Sequence, residues 1–351
     1  MIVAGAGMAG LVAAARGREL GAAPVVFEKG DRAGGSMLLS SGVVWRHRSL
    51  DEFRADCPGG DAALQERVVE ELDDSFEWLE ALGIEPLRRE TGNPRTVGRR
   101  YDPAELTRTL VRAAGDVRLS QPFAEAQVLA TGGFGARLAR ERGLLLRAAP
   151  WSEGDGLEFA VARGAALTAG MGEYYGRALP AAVPEDELVR ASQLFGRQAL
   201  VVDDDGRDLG GAAWHESDLV QRFPNGRAWY VVDLRALGER VRERTVADMI
   251  EVARAAGGDV RSADELPFAL PASSKLVEPP FTAVRVYAAV THTIGGVRID
   301  DRARVLDEDG APVPELFAAG ADAGGIFTGG YGSGLAAALV FGRIAAESAL
   351  G

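Results

Sequence analysis

Gly5-Ala6-Gly7-Met8-Ala9-Gly10 places three glycines at the spacing Gly-x-Gly-x-x-Gly, and Glu28 follows 18 residues after the last of them. Residues of these types at this spacing suit a dinucleotide. Gly5 permits a tight turn, Gly7 lets a pyrophosphate approach the backbone, and Gly10 lets a helix and a strand pack closely. A helix opening around Met8 and Ala9 offers unpaired N–H groups and a partial positive charge to the phosphates. Glu28, with Lys29 beside it, stands where a carboxylate accepts hydrogen bonds from a ribose diol. These residues need elements to hold them. Residues 2–4 read as a short buried strand, residues 11–20 as an Ala-rich helix, and residues 25–27 as a second strand ending at the acid.

A second glycine cluster, Gly34-Gly35-Ser36, follows the acid, with Ser41 and Gly42 a little further on. It resembles the second glycine motif of flavoproteins, which wraps the pyrophosphate and the flavin edge; a simple NAD domain does not need it. Two further apolar runs end in polar or glycine residues. "AQVLATGGFG" ends on Thr131, Gly132 and Gly133, and "VPELFAAGADAGG" ends on Gly320 and Asp322. In flavoproteins of this type the acid after the late strand holds the ribityl hydroxyls of FAD. The motifs span both ends of the chain, so the FAD domain must be assembled from residues 1–170 and 281–351. Residues 171–280 are then an inserted capping or substrate domain, with "KLVEPP" before it closes as a hinge.

Together these motifs resemble the fumarate reductase and 3-ketosteroid dehydrogenase superfamily of FAD enzymes. The resemblance rests on "GAGMAGLVAAA", "EKGDRAGGS", "VLATGGFG", "GDGLEFAVARGAALTAGM", "THTIGGVRIDDRARVLDEDGAPVPELFAAG" and "YGSGLAAALVFGRIAA". It implies an α/β fold, a Rossmann-like FAD-binding domain split by an inserted α+β capping domain, with FAD held noncovalently. It also implies an oxidoreductase that adds or removes hydrogen across a C–C bond beside a carbonyl. In the fumarate reductase branch the histidine at His292 helps bind the substrate's carboxylate or carbonyl. Arg177 falls where dicarboxylate reductases carry a substrate-binding histidine, with Tyr174 and Tyr175 beside it as possible pocket residues. Tyr331 falls where those reductases keep an arginine and where ketosteroid dehydrogenases have a ketone-binding tyrosine. A helix starting near Ser333, Gly334 and Leu335 would aim its N–H groups at the flavin's N1/O2 edge.

Each of these residues has a plainer reading. Arg177 could be a cap-surface arginine paired with Glu173, His292 a core histidine, the tyrosines ordinary packing, and His47 exposed or salt-bridged. The chain also departs from the family pattern. Only "GDVRLSQPFAE" stands where a β-hairpin excursion is usual. Ser217 stands where dicarboxylate reductases have a proton-donating arginine, with Asp218 beside it and Arg207 and His215 off register. A reductase for a small carboxylate, using Arg177 and His292 as anion clamps, is the second reading. A flavin-binding electron-transfer or partner protein with little turnover is the third.

Bulk properties narrow the field. The 351 residues carry a formal charge of −12, which argues against a nucleic-acid partner. Cys57 is the single cysteine, so an intrachain disulfide and a cysteine-cluster metal or haem site are excluded, and no metal is expected. No apolar run reaches the ~18 residues of a membrane span, and the chain opens directly as a strand without a basic leader. The expected partners are a small carbonyl substrate and an external electron acceptor or donor, and the expected location is the cytoplasm. Residues 64–79 repeat apolar positions at helical spacing and stop at Gly83; residues 237–256 also read as one or two helices.

Overall fold

The nucleotide end of the chain is a six-stranded sheet, seen in a computed structural model that describes residues 1–211 and 217–351. Its strand order is Arg304–Leu306, Pro312–Ala318, Val128–Leu129, Ile2–Ala4, Val25–Phe27 and Asp116–Arg118. All neighbours run parallel except the outermost pair, Arg304–Leu306 with Pro312–Ala318. The strands are short and apolar because helices bury them. Helix Met8–Glu19 is nearly all small or aliphatic, with Met8 through Ala15 buried. Helix Gly334–Leu350 is equally apolar, so it too packs as an interior element. Helix Pro103–Ala114 starts on the Asp102 cap with proline in its first turn and stops at Gly115.

The stretch "GDVRLSQPFAE" supplies the edge strand Asp116–Arg118 of this sheet and then leads to Val128–Leu129 without an intervening strand. The sheet is thus completed by residues that stand where the family usually has a β-hairpin excursion. Helix Ala62–Ala81 forms as its periodicity predicts. Asp61 caps it by accepting from the N–H groups of Ala63 and Leu64, and Leu64, Val68, Leu72, Phe76 and Leu79 are buried while Val69 is only half-buried.

Two units divide the chain. The first comprises Met1–Arg137, Ala148–Tyr174 and His292–Gly351; the second comprises Leu138–Arg147 and Tyr175–Thr291. These limits differ from the expected 171–280 insert at three places. Residues 138–147 belong to the second unit because strand Leu145–Leu146 pairs in parallel with the long strand Thr282–Thr293. The insert begins at Tyr175, and the return falls inside that long strand rather than at 280.

The second unit is an α+β unit built on antiparallel strands in the order Val260–Ser262, Thr282–Thr293, Arg227–Val232 and Leu200–Val202, with Tyr174–Leu179 also on the long strand. Leu200, Val202, Trp229, Val231, Ala263, Leu266 and Ala283 form its core. Two expectations fail here. Residues 240–245 form a two-stranded hairpin rather than helix, and the helix is confined to Val246–Ala255 behind a Thr245 capping box. "KLVEPP" lies inside the second unit and not at its boundary. The buried Asp233 carboxylate accepts from the N–H groups of Val277 and Glu278, which ties this segment into the second unit.

Candidate active site

The dinucleotide loop is held by backbone geometry. Gly5 has φ +98°, and a Cβ there would lie 2.2 Å from the Ala130 carbonyl oxygen. A Cβ on Gly10 would lie 1.9 Å from the Gly5 oxygen, so helix and strand meet as closely as the motif predicts. Gly7 is different, because its Cβ position is open space; a Cβ on Gly35 would approach its Cα at 3.3 Å. Gly7 and Gly35 therefore line an open cradle at the start of helix Met8–Glu19, whose N-terminus has no side-chain cap. Glu28 borders it. Its Oε2 accepts from Ala6 N–H at 2.8 Å and its Oε1 from Gly30 N–H at 2.7 Å, so the acid is pinned to the loop it serves. Open space, uncapped N–H groups and an oriented carboxylate suit the pyrophosphate and ribose of a dinucleotide.

The neighbouring residues play other parts. Lys29 forms an ion pair with Asp155. Ser36 Oγ accepts from Ala149 N–H at 2.9 Å, and Ser41 is half-buried beside the turn. Gly42 was expected as a cofactor contact, but a Cβ there would lie 2.0 Å from the Tyr101 carbonyl oxygen. It is a closely packed turn, with its N–H donated to Ser40 Oγ at 3.0 Å.

Asp322 departs most from expectation. Its carboxylate accepts from Thr131 N–H, from Thr131 Oγ1 at 2.9 Å and from Gly133 N–H at 2.9 Å. Gly156 closes over it, and the side chain has 0 % exposure. The buried carboxylate thus locks the Thr-Gly-Gly turn. Burial raises its pKa, against the opposing pull of those N–H and O–H donors. Gly320 (φ +68°) makes the turn into this residue, and Gly132 has nearly open space at its Cβ position.

Tyr331 sits at the mouth of the C-terminal helix. Its hydroxyl oxygen accepts from Gly334 N–H at 3.0 Å, and Ser333 Oγ caps the same helix by accepting from Ala336 N–H at 3.3 Å. Two of the helix's first donors are thus taken within the chain; Leu335, half-buried, is the first-turn residue whose N–H neither side chain takes. Tyr331 does not stand alone among glycines. Its ring centroid is 5.4 Å from Phe327, 6.0 Å from His292 and 6.4 Å from Trp45. Trp45 and Phe327 join this cluster although the motifs of the sequence single out neither of them. What gives them away is only that strand Val43–His47 and the loop before the C-terminal helix deliver aromatics to one place.

His292 stands at the end of the long strand, its ring against Gly334, where a Cβ would lie 2.9 Å from Cε1 and Nδ1. Burial pulls its pKa down to about 4, so the imidazole is neutral near pH 7. His47 was expected to be exposed or salt-bridged. It is paired, with Nε2 3.0 Å from Asp56 Oδ2, but wholly buried and stacked on Phe53 at 4.7 Å. Burial lowers its pKa despite the Asp56 charge.

Arg177 is not a surface arginine. In strand Tyr174–Leu179 it is 8 % exposed, with its guanidinium 5.0 Å from the Tyr175 ring centroid. Tyr174 and Tyr175 are buried too. Glu173, its suggested partner, accepts from Gly329 N–H at 2.8 Å and so holds the loop that leads to Tyr331. Arg207 is mostly exposed and pairs with Asp205, and Asp218 pairs with Arg222. His215 lies outside the described residues, and nothing is described of the Ser217 side chain. Among the described residues no histidine, cysteine or acid cluster could hold a metal ion.

The FAD binding domain family description matches residues 115–334, and a NAD(P)-binding Rossmann-like domain matches residues 3–64. A probable fumarate reductase of Shewanella frigidimarina is 26 % identical over 443 residues, covering 99 % of this chain and 74 % of the relative. That alignment is longer than this chain, so the relative carries segments absent here. Among solved structures, the open conformation of a flavocytochrome c3 fumarate reductase superposes with TM-score 0.70 at 23 % identity, over 99 % of this chain and 77 % of that one. The 3-ketosteroid delta1-dehydrogenase of Sterolibacterium denitrificans gives 0.71 at 17 % identity, over 99 % and 98 %. At these identities the two structures share the fold.

Proposed function

The chain belongs to the FAD binding domain family of FAD-dependent oxidoreductases, and from that premise we propose that it adds or removes hydrogen across a C–C bond next to a ketone or similar carbonyl. FAD, when bound, supplies the centre that accepts or gives the hydride. Gly7, Gly35 and Glu28 would hold its pyrophosphate and ADP half. Thr131, Gly132 and the start of the C-terminal helix are assigned to its other half.

The observation that carries the reading is the Tyr331–Gly334 hydrogen bond. An O–H whose oxygen accepts from a helix N-terminus is a stronger donor, because the N–H dipole stabilises charge growing on that oxygen. Tyr331 then donates to the substrate carbonyl. This makes the adjacent C–H more acidic, which suits desaturation or ene reduction at the α,β-bond. His292, neutral and close to Tyr331, gives the carbonyl a second polar neighbour without adding charge. Trp45 and Phe327 beside them favour a ring or chain over a compact dianion. Tyr174 is a candidate for the proton transfer.

The test is Tyr331→Phe, assayed on enones and ketones with an artificial electron acceptor. Loss of a donor of this kind lowers kcat by about 10²–10³-fold, with FAD still bound. Undiminished turnover of every ketone substrate would sink the assignment.

One observation supports a second reading, a reductase for small carboxylates. Arg177 is buried, as an anion-binding guanidinium would be and as a solvated surface arginine would not. A preference for acids over neutral ketones, lost in Arg177→Met, would favour it. An external electron partner and a cytoplasmic location belong to the same proposal, and the lone buried thiol of Cys57 is compatible with a reducing compartment.

A further inference from the structure

The loop leaving Glu28 is clamped by residues 149–155. Lys29 pairs with Asp155, and Gly30 lies against the face of the Trp151 indole. A Cβ on Gly30 would sit 2.6–2.8 Å from Cε3, Cδ2 and Cζ3 of that ring, so position 30 has no room for a side chain. The Arg32 guanidinium carbon stands 4.8 Å from the Trp151 ring centroid, within cation–π range. Trp151 thus has a fixed orientation, yet it is half-exposed.

Position gives this ring a use. Gly30 N–H donates to Glu28 Oε1 at 2.7 Å, so the residue touching the indole also touches the carboxylate that faces a ribose diol. In adenosine the base hangs from that same ribose by a single glycosidic bond. A nucleotide whose ribose is held on Glu28 therefore carries its base within reach of Trp151. We propose that Trp151, oriented by Gly30 and Arg32, forms a wall of the adenosine subsite and packs against the adenine of the ADP half of FAD. Stacking of this kind holds any base through its π-face. Glu28 then selects the sugar and Trp151 adds affinity for the base. The proposal concerns cofactor retention alone and is independent of the ketone reading.

Tryptophan emission of the apoprotein, titrated with ADP, reads this subsite directly. The chain has five tryptophans, so the signal is the difference between wild type and Trp151→Phe. ADP is expected to quench wild-type emission, and the quenched component is expected to vanish in Trp151→Phe. Calorimetric FAD affinity should fall about tenfold in Trp151→Ala and recover most of that in Trp151→Phe, which keeps an aromatic face. Circular dichroism confirms that each variant folds; if Trp151→Ala does not, the quenching comparison decides alone. Equal ADP quenching in Trp151→Phe and wild type, no quenching in either, or FAD binding to folded Trp151→Ala at wild-type strength would overturn the proposal.

Discussion

His292 shows how burial sets the working form of a side chain. Its pKa lies at about 4, below the ordinary value of 6.5, because desolvation penalises the imidazolium. The fold therefore favours the neutral ring. Stability from this group is complete above about pH 6.5 and declines as pH falls toward 4, since the unfolded chain binds the proton first. The expected outcome is a substrate KM that stays flat from pH 8 to about 5 and rises below that. Denaturation midpoints should also slope less steeply between pH 6.5 and 4 in His292→Gln than in wild type. A KM that climbs through pH 6.5 would mean that the ring titrates as if exposed. Asp233 illustrates the opposite balance. Burial would raise its pKa, but the N–H groups of Val277, Ala236 and Glu278 and the Arg235 guanidinium outweigh that and hold it at about 2. Its contribution is present above the ordinary carboxylate pKa and is lost as pH drops from about 4 through 2. Asp233→Asn should lower stability by about 1–3 kcal/mol at pH 7, and urea midpoints of variant and wild type should converge as the pH nears 2.

At the scale of elements, the loop that carries Tyr331 is braced by the segment after helix Leu50–Asp56. Gly59 N–H donates to the Thr328 oxygen at 3.0 Å, Asp61 N–H to the Gly325 oxygen at 2.7 Å, and the buried Gln65 amide reaches the Ile326 oxygen at 3.2 Å. Gly330 lies so close to this brace that a Cβ would fall 1.8 Å from the Asp56 carbonyl oxygen. Gly330→Ala must therefore displace the loop. It should cost about 1–3 kcal/mol in thermal unfolding and lower kcat about tenfold or more through the misplaced tyrosine, with FAD affinity little changed. Wild-type kcat in this variant would show that the loop's position does not matter to the chemistry. The glycines of "TGGYGSG" are thus explained in part by packing. Gly330 and Gly334 let the brace and His292 approach, and only then does the helix start.

At the scale of the whole chain, the cofactor frame joins residues from both ends. Val128–Leu129 is flanked by Ile2–Ala4 on one side and Pro312–Ala318 on the other. Binding FAD should therefore stabilise the first unit as one body. At a hundredfold excess over Kd the gain is about 2.7 kcal/mol, read as a rise in melting temperature that Tyr331→Phe retains. No shift at saturating FAD would remove the basis of the functional reading. No described helix is long and apolar enough to cross a membrane.

Much of this was legible in the residues themselves. Local rules act over a few positions, so "GAGMAG", Glu28 and the order of later glycine motifs determined a split Rossmann-like unit for FAD. The helix over 62–81 followed from its apolar spacing and its stop at Gly83. Long-range contact decided the rest. Asp322 comes one residue after Ala-Gly-Ala, and only the packed turn shows its carboxylate spent on Thr131 and Gly133. Trp45, Phe327, His292 and Tyr331 are far apart or differently framed in the chain, and no periodicity relates them. Burial, which sets the charge of His292 and hides Arg177 from solvent, is a property of what packs around a residue and has no signature at the residue alone.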